Sequence, residues 1–214
     1  MATLQEPDAR AKPAPRKLER HEIERAARAL GRAFYDDPLM MYLMPTDERR
    51  ARTMTHIMRC AVRMAFPEGE SYALDTPDNG AALFMPPGRW KVPAARVAGT
   101  ILPVSWRFGF GPIARYLAVM KELEAKHPRE DHWYLATLGV EPDRQGQGIG
   151  GRLVSSVLER AEAEGTTVYL ETNKTRNVVF YRKHGFRVNE HFNCHGGRGP
   201  ETWTMIRQNG QFHT

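Results

Sequence analysis

The sequence predicts a mixed α/β sheet, and three observations carry that expectation. From Trp133 onward, apolar patterning alternates as strand, helix, strand, helix, strand, strand. Gly165 and Gly185 stand just past the two helical stretches, where a left-handed cap residue belongs. Upstream, amphipathic helical patterns precede two short β-type runs separated by turn residues.

Taken in order, Glu19 to Tyr35 reads as a helix, with Ile23, Ala26, Ala27, Leu30 and Phe34 at helical spacing. Asp36-Asp37-Pro38 stops it and starts a second, short helix. Thr46 to Phe66 is a third, with Met54, Ile57, Met58, Ala61 and Ala65 on one face. Ser71–Asp75 and Ala81–Met85 read as strands around the turn Pro77-Asp78-Asn79-Gly80, and Pro86-Pro87-Gly88 ends the second. The stretch Arg89–Gly111, with Trp90, Trp106, Phe108 and Phe110, reads as a loop or helix covering something. Pro112 to Lys126 is a helix with proline near its first turn. Trp133–Val140, Thr167–Thr172, Phe186–Asn193 and Thr202–Arg207 are strands, and Ile149–Glu164 and Arg176–His184 are helices. This predicts a single domain over 18–208, between a disordered tail at 1–17 and a short tail at 209–214.

Composition narrows the function classes. The chain has 214 residues, 41% of them apolar, so it can build a core. No apolar run approaches the roughly 20 residues that span a bilayer, and the N-terminal stretch lacks the apolar segment of a secretory signal. The net charge of +6 is spread evenly along the chain, which argues against a nucleic-acid-binding arm. Cys60 and Cys194 make neither a disulfide framework nor a metal site, which fits reduced thiols in the cytoplasm. The expectation is therefore a cytoplasmic protein without metal, nucleic acid or membrane partners.

The most informative segment is Gln145-Gly146-Gln147-Gly148-Ile149-Gly150, lying between a strand and a helix. Such a turn leaves amides unpaired at the helix start, and these bind phosphate together with the positive end of the helix dipole. Gly146, Gly148 and Gly151 also fit a dinucleotide pattern, with Glu171 twenty residues beyond Gly151. Against that reading, Glu141 to Gln145 separate strand from glycine, little chain follows, and helices rather than a βαβ unit precede. A purely structural turn would not need so many glycines, given their entropic cost.

Val140-x-Pro142-x-x-Gln145-Gly146-Gln147-Gly148-Ile149-Gly150 resembles the acetyl-CoA-binding signature of the GNAT N-acetyltransferase superfamily. Asn177-x-x-Phe180-Tyr181-x-x-x-Gly185-Phe186 resembles the next motif of that superfamily, at the expected distance. The string His132 to Val140, with Leu170-Glu171-Thr172, is similar to puromycin N-acetyltransferases over about residues 130–207. The resemblance implies a mostly antiparallel mixed sheet flanked by helices, in which a splayed strand pair forms the acetyl-CoA cleft. It implies acetyl-CoA as acyl donor, with a core at about 130–207, and a primary amine of a small molecule, such as an antibiotic or aminonucleoside, as acceptor. Direct attack in a ternary complex follows from the absence of cysteine in the motifs. A protein or peptide amine, or an acyl-CoA sensor without turnover, stands as the alternative. Monomer and homodimer both remain open.

The same resemblance assigns residues. Leu138, Gly139 and Val140 pair with the pantetheine arm; Gln145, Gly146, Gln147, Gly148, Ile149 and Gly150 take the pyrophosphate. Arg144 or Arg152 adds charge there, or is simply solvated. Tyr181 is the general acid, or merely packs with Phe180 and Phe186 against the sheet, and Asn177 caps its helix and contacts the cofactor. Glu171 is a base or an ordinary exposed carboxylate, and His132 is a second candidate. Asp36 and Asp37 attract the amine, or Asp37 caps the helix that begins at Pro38. Trp133 walls the acceptor site or packs as a strand aromatic.

Overall fold

The computed structural model describes residues 13–208, apart from the side chains of 101, 103–108 and 110. Its sheet contains β1 (Arg16–Lys17), β2 (Ser71–Ala73), β3 (Gly80–Met85), β4 (Trp133–Val140), β5 (Val168–Thr172), β6 (Arg187–Asn193) and β7 (Glu201–Arg207). Their spatial order is β1-β2-β3-β4-β5-β7-β6. Only β4 and β5 run parallel; every other neighbouring pair is antiparallel. The helices are α1 (Ile23–Ala33), α2 (Pro38–Leu43), α3 (Asp47–Ala65), α4 (Ala94–Phe108), α5 (Phe110–Glu124), α6 (Ile149–Ala163) and α7 (Thr175–Arg182). The mixed, mostly antiparallel sheet flanked by helices is the expected architecture. The Arg89–Gly111 stretch resolves into a loop followed by α4; the side chains of Trp106, Phe108 and Phe110 lie outside the described residues.

Two cores sit on the two faces of the sheet. Along β3, Ala81, Leu83 and Met85 join the core formed with α1, α2, α3 and α5, while Ala82 and Phe84 join the core under α6 and α7. Both faces of β3 are thus covered, which explains its unbroken apolar run.

The decisive irregularity lies in β4. Leu83 pairs with Thr137 but Phe84 with Leu135, so Ala136 is an extra residue, a bulge. Bulges bend a strand and increase its twist. Pairing between β4 and β5 is confined to Trp133↔Val168 and Tyr134↔Tyr169, immediately before that bulge. Beyond it β4 stays with β3, while Leu170, Glu171 and Thr172 pair with β7. The two parallel strands therefore part. The bulge also reverses facing: Trp133 and Leu135 point to the α6 side, and after it Leu138 and Val140 do so. Gly139 then turns toward α1, where an added Cβ would lie 2.6 Å from Leu30 Cδ2 and 3.0 Å from Ala33 Cβ. The small-residue face of α1 meets a strand position without a side chain, and the helix packs directly on β4.

The expected disordered tail at 1–17 needs correction at its end. Arg16 and Lys17 pair with Ala73 and Tyr72 as the edge strand β1. Arg16 holds Glu22 through two hydrogen bonds, 2.8 and 2.5 Å, and also donates to the Asp75 carbonyl. Glu22 in turn accepts from the Glu19 amide at 3.0 Å. These pairings hold the strap because a buried carboxylate needs partners. Residues 1–12 and the tail at 209–214 lie outside the described residues.

Hydrogen bonding to Arg16, against the opposing effect of burial, lowers the Glu22 carboxyl to about 2. A depressed carboxyl adds stability above its unfolded pKa, and that stability is lost as pH falls toward the folded value. Discounted for the partly exposed Arg16, the pair contributes about 1–2 kcal/mol. Glu22→Gln should lower the urea midpoint at pH 7, and the gap to wild type should shrink progressively as pH drops below about 4.3. An equal gap at pH 3 and pH 7 would show that the clamp is not ionic.

Candidate active site

Where β4 and β5 part, a cleft of about 440 Å³ opens into the molecule. Tyr134 to Leu138 form one wall, Glu171, Thr172 and Asn173 the other, and Asn177 and Tyr181 of α7 its rim. Opposite stand Asp37 and Met40 of the α1–α2 region, Ile57 and Met64 of α3, Tyr116 and Met120 of α5, and Trp90. A smaller apolar cavity of about 110 Å³ adjoins it between α2, α3 and α5, sharing Met40, Ile57, Ala61, Met64 and Tyr116. The stretch left open in the sequence thus contributes Trp90, Lys91, Val92 and Val97 to the cleft wall.

At the far end of β4 the glycine loop is exposed, and Gly146 and Gly148 adopt left-handed φ values of 77° and 75°. Gly148 is the residue before α6, and the Arg152 amide donates to its carbonyl at 3.2 Å. The amides of Ile149, Gly150 and Gly151 therefore have no carbonyl within the helix to bind. A Cβ built on Gly146 or Gly148 would meet no protein atom within 4 Å, so the space above these amides is open. Gln145 Nε2 donates to the Val140 carbonyl at 3.1 Å and ties the loop to the strand end. This arrangement fits a pyrophosphate, and the unpaired edge of β4 after Tyr134 fits an extended chain carrying amides. Arg144 is exposed beside the loop. Arg152 Nη1 instead donates to the Pro13 carbonyl at 3.4 Å.

Tyr181 is buried at the cleft wall against Phe180 and Phe186, and burial pushes its phenol well above the usual range. Packing and a place in the cleft are thus both true of it. Asn177 is the third residue of α7, whose cap is Lys174; its side chain donates to Thr172 Oγ1 at 3.0 Å, so the capping expectation is corrected. Asp37 caps α2, with Oδ1 accepting from Leu39 N at 3.0 Å and Met40 N at 3.4 Å, yet it also lines the cleft. Burial raises its carboxyl.

Two expected substrate residues are elsewhere. Asp36 is exposed and bound to Lys174 at 2.5 Å, outside the cleft lining. Trp133 faces the opposite core: it packs on Phe84, lies under Arg160 and donates to Glu164 at 3.0 Å. Strand alternation explains the second correction, since Tyr134, its neighbour, takes the cleft side.

Glu171 is not the exposed carboxylate of the alternative reading. Its side chain is 9% exposed and Oε1 lies 3.3 Å from His127 Nε2. His132, fully buried, reaches His127 rather than the cleft, with 3.0 Å between its Nε2 and His127 Nδ1. Sequence reasoning missed His127 and placed Trp90 only in a stretch covering something; the two stack at 3.8 Å. Both lie in connections where periodicity carries no signal; a histidine in Lys126-His127-Pro128, just ahead of β4, was the available hint.

Residues 111–188 match the acetyltransferase (GNAT) domain family. An uncharacterised N-acetyltransferase of Schizosaccharomyces pombe is 28% identical over 81% of this chain and 74% of its own length. In fold, the chain is similar to a Corynebacterium glutamicum histone acetyltransferase HPA2 and related acetyltransferase, with TM-score 0.65 and 19% identity over 95% of this chain and 99% of that one. It is also similar to Drosophila melanogaster polyamine N-acetyltransferase, with TM-score 0.63 and 15% identity over 91% and 98% of the two chains. The domain match runs across the very strand whose parting makes the cleft, and over residues 111–188 this chain is similar to the GNAT acetyltransferases.

Proposed function

We propose that this enzyme acetylates the primary amine of a small molecule bearing an apolar group, by direct attack on the thioester of acetyl-CoA. The observation that carries the acceptor reading is the pair of adjoining cavities, which share Met40, Ile57, Ala61, Met64 and Tyr116. Carboxylates at Asp37 and Glu171 lie in the cleft, suiting an ammonium group, while the adjoining space is lined by Met40, Met44, Met64 and Ile57. Methionine-rich walls adapt to varied apolar shapes. Its volume, about 110 Å³, is close to the roughly 150 Å³ of a cavity that holds benzene. The polyamine acetyltransferase shares the fold, but an all-polar chain would leave this side cavity unused.

Within that reading the chain divides the work. The loop Gln145 to Gly150 and the start of α6 bind pyrophosphate, and the free edge of Leu138, Gly139 and Val140 orients the pantetheine arm. Tyr181 donates the proton that the leaving sulfur takes up. Its phenol is raised by burial, and a thiolate formed in the same buried site also gains proton affinity, so the transfer is less uphill than solution values suggest. Cys60 lines the side cavity, but burial raises its thiol, which disfavours an acetyl-enzyme intermediate.

The test is amine-dependent release of free thiol from acetyl-CoA across a panel of amines. Burying a phenyl-sized group contributes about 2 kcal/mol, so phenethylamine should exceed ethylamine by roughly 30-fold in kcat/KM. Acetylation of peptides but of no small amine would overturn the acceptor class; tight acetyl-CoA binding without any turnover would favour a sensor.

Tyr181→Phe should lower kcat by about 10²-fold with little change in KM for acetyl-CoA. Unchanged kcat would remove the acid role. Gly148→Val forces a β-branched residue into left-handed backbone and projects it over the amides. Calorimetry should show acetyl-CoA binding weakened at least tenfold; unchanged affinity in a folded variant would refute the cradle.

A further inference from the structure

Acetylation at neutral pH must first strip a proton from the acceptor ammonium. We propose that His127 and Glu171 act together as its acceptor, with the tautomer of His127 set by His132. The proposal rests on the N-acetyltransferase reading and names the proton path within that same site.

The hydrogen-bond directions fix the argument. His132 Nδ1 lies 2.8 Å from the Glu130 carbonyl, which can only accept, so Nδ1 carries the hydrogen. Burial lowers the His132 pKa and keeps the ring neutral, leaving Nε2 as an acceptor. The 3.0 Å contact from His132 Nε2 to His127 Nδ1 then requires the hydrogen on His127 Nδ1. A neutral His127 is left with a bare Nε2, and it points at Glu171 Oε1, 3.3 Å away. That oxygen is buried and has no hydrogen-bond partner among the described residues. Two lone pairs confront one another, and one proton makes the contact attractive. Trp90, stacked on His127 at 3.8 Å, holds the ring in this plane.

Among the described residues, the phenols of Tyr134 and Tyr169 also reach the Glu171 carboxylate as hydrogen-bond donors. Their rings contact His127, at centroid distances of 4.7 and 4.5 Å. Burial, then the Glu171 charge, raises both, so they stay protonated. The nearby cations are paired: Lys91, over Trp90, with Glu124 of α5, and Lys126 with Glu190 of β6. Asp131 flanks His132 and acts on it by charge. Glu171 and His127 both line the cleft, so an amine between them and the thioester touches the pair.

The step balances. An N–H bond of the ammonium breaks and its proton lodges between Nε2 and Oε1. The freed lone pair forms the C–N bond, the C–S bond breaks, and Tyr181 gives its proton to the sulfur. The second amine proton restores the phenol, and the proton on the pair leaves to solvent when the amide departs. His127 and Glu171 are catalytic residues in this scheme, and His132 is a positioning residue.

His127→Gln, Glu171→Gln and the double variant, assayed for kcat/KM against pH, test this. Each single change should cost about 10²-fold or more and alter the shape of the profile. The double variant should lose no more than the worse single, because the pair accepts one proton as a unit. Wild-type kinetics in His127→Gln, or losses that multiply in the double variant, would overturn the pairing. A readout without turnover separates this from failure of the acetyltransferase reading. Nitrogen-15 imidazole spectra should show His132 neutral with its hydrogen on Nδ1 at pH 8. They should also show a His127 Nε2 signal that moves in Glu171→Gln. His132 protonated on Nε2, or a His127 signal indifferent to Glu171→Gln, would refute it even in an inactive preparation.

Discussion

Backbone amides and carbonyls inside a protein must find partners, and the site depends on one place where a strand edge is denied them by its neighbour. The β4–β5 ladder stops after Tyr134 and Tyr169, and the bulge at Ala136 bends β4 away at that point. Closed up, the same strands would form an ordinary parallel pair with no cleft. Parted, they leave the edge of Leu135 to Val140 available and set Glu171 facing an open space instead of a strand. The chain offsets the lost pairing elsewhere: β3 stays bound along β4, and β7 pairs with β5 through all five of its residues, Val168 to Thr172.

The elements that hold the strands apart belong to both cores. Gly139 lets α1 rest directly on β4, while α6 grips the other face through Leu153, Val154 and Val157. Below the bulge the two strands pair and share the core under α6, through Trp133 and Leu135 of β4 and Val168 and Leu170 of β5. Above it β4 keeps its pairing with β3 and its contact with α1, so a bulge of one residue can open the sheet without stripping β4 of its packing.

How far this was readable in the sequence depends on the kind of signal. Helices with a clear 3.6 period, such as Ile23–Ala33 and Asp47–Ala65, and the β-branched or aromatic strands were legible because periodicity reports one buried face. The glycine loop was legible because left-handed φ and unpaired amides leave a compositional mark. β1 was not, since two residues of a Pro- and charge-rich segment carry no pattern, and their order comes from Arg16 reaching Glu22 and Asp75. The bulge was not either, because the string Trp133 to Val140 reads the same with or without an extra residue at Ala136. That hidden slip is also why Trp133 was misplaced: facing on β4 is set by its register against β3. Asp36 and Asp37 look alike in the sequence, and only the turn of the backbone sends one to Lys174 and the other into the cleft.

The acid–base groups follow a different logic from the cofactor groups. The proposed phosphate cradle uses backbone, so its residues must be contiguous and leave a motif. Proton transfer uses side chains, and those come from separate segments: Trp90 after β3, His127 after α5, His132 before β4, Glu171 on β5. No spacing rule links them; what links them is a single directional constraint. The Glu130 carbonyl can only accept, and this fixes His132, which fixes His127, which leaves the last nitrogen facing a buried carboxylate oxygen. A backbone carbonyl in a loop thereby decides where a proton is missing at the centre of the cleft. Such a chain tolerates change in the acceptor pocket, because none of its hydrogen bonds uses Met40, Met64 or Ile57. In the proposed scheme proton removal and acceptor choice are built from different residues, so the apolar walls can vary while the imidazoles keep their tautomers.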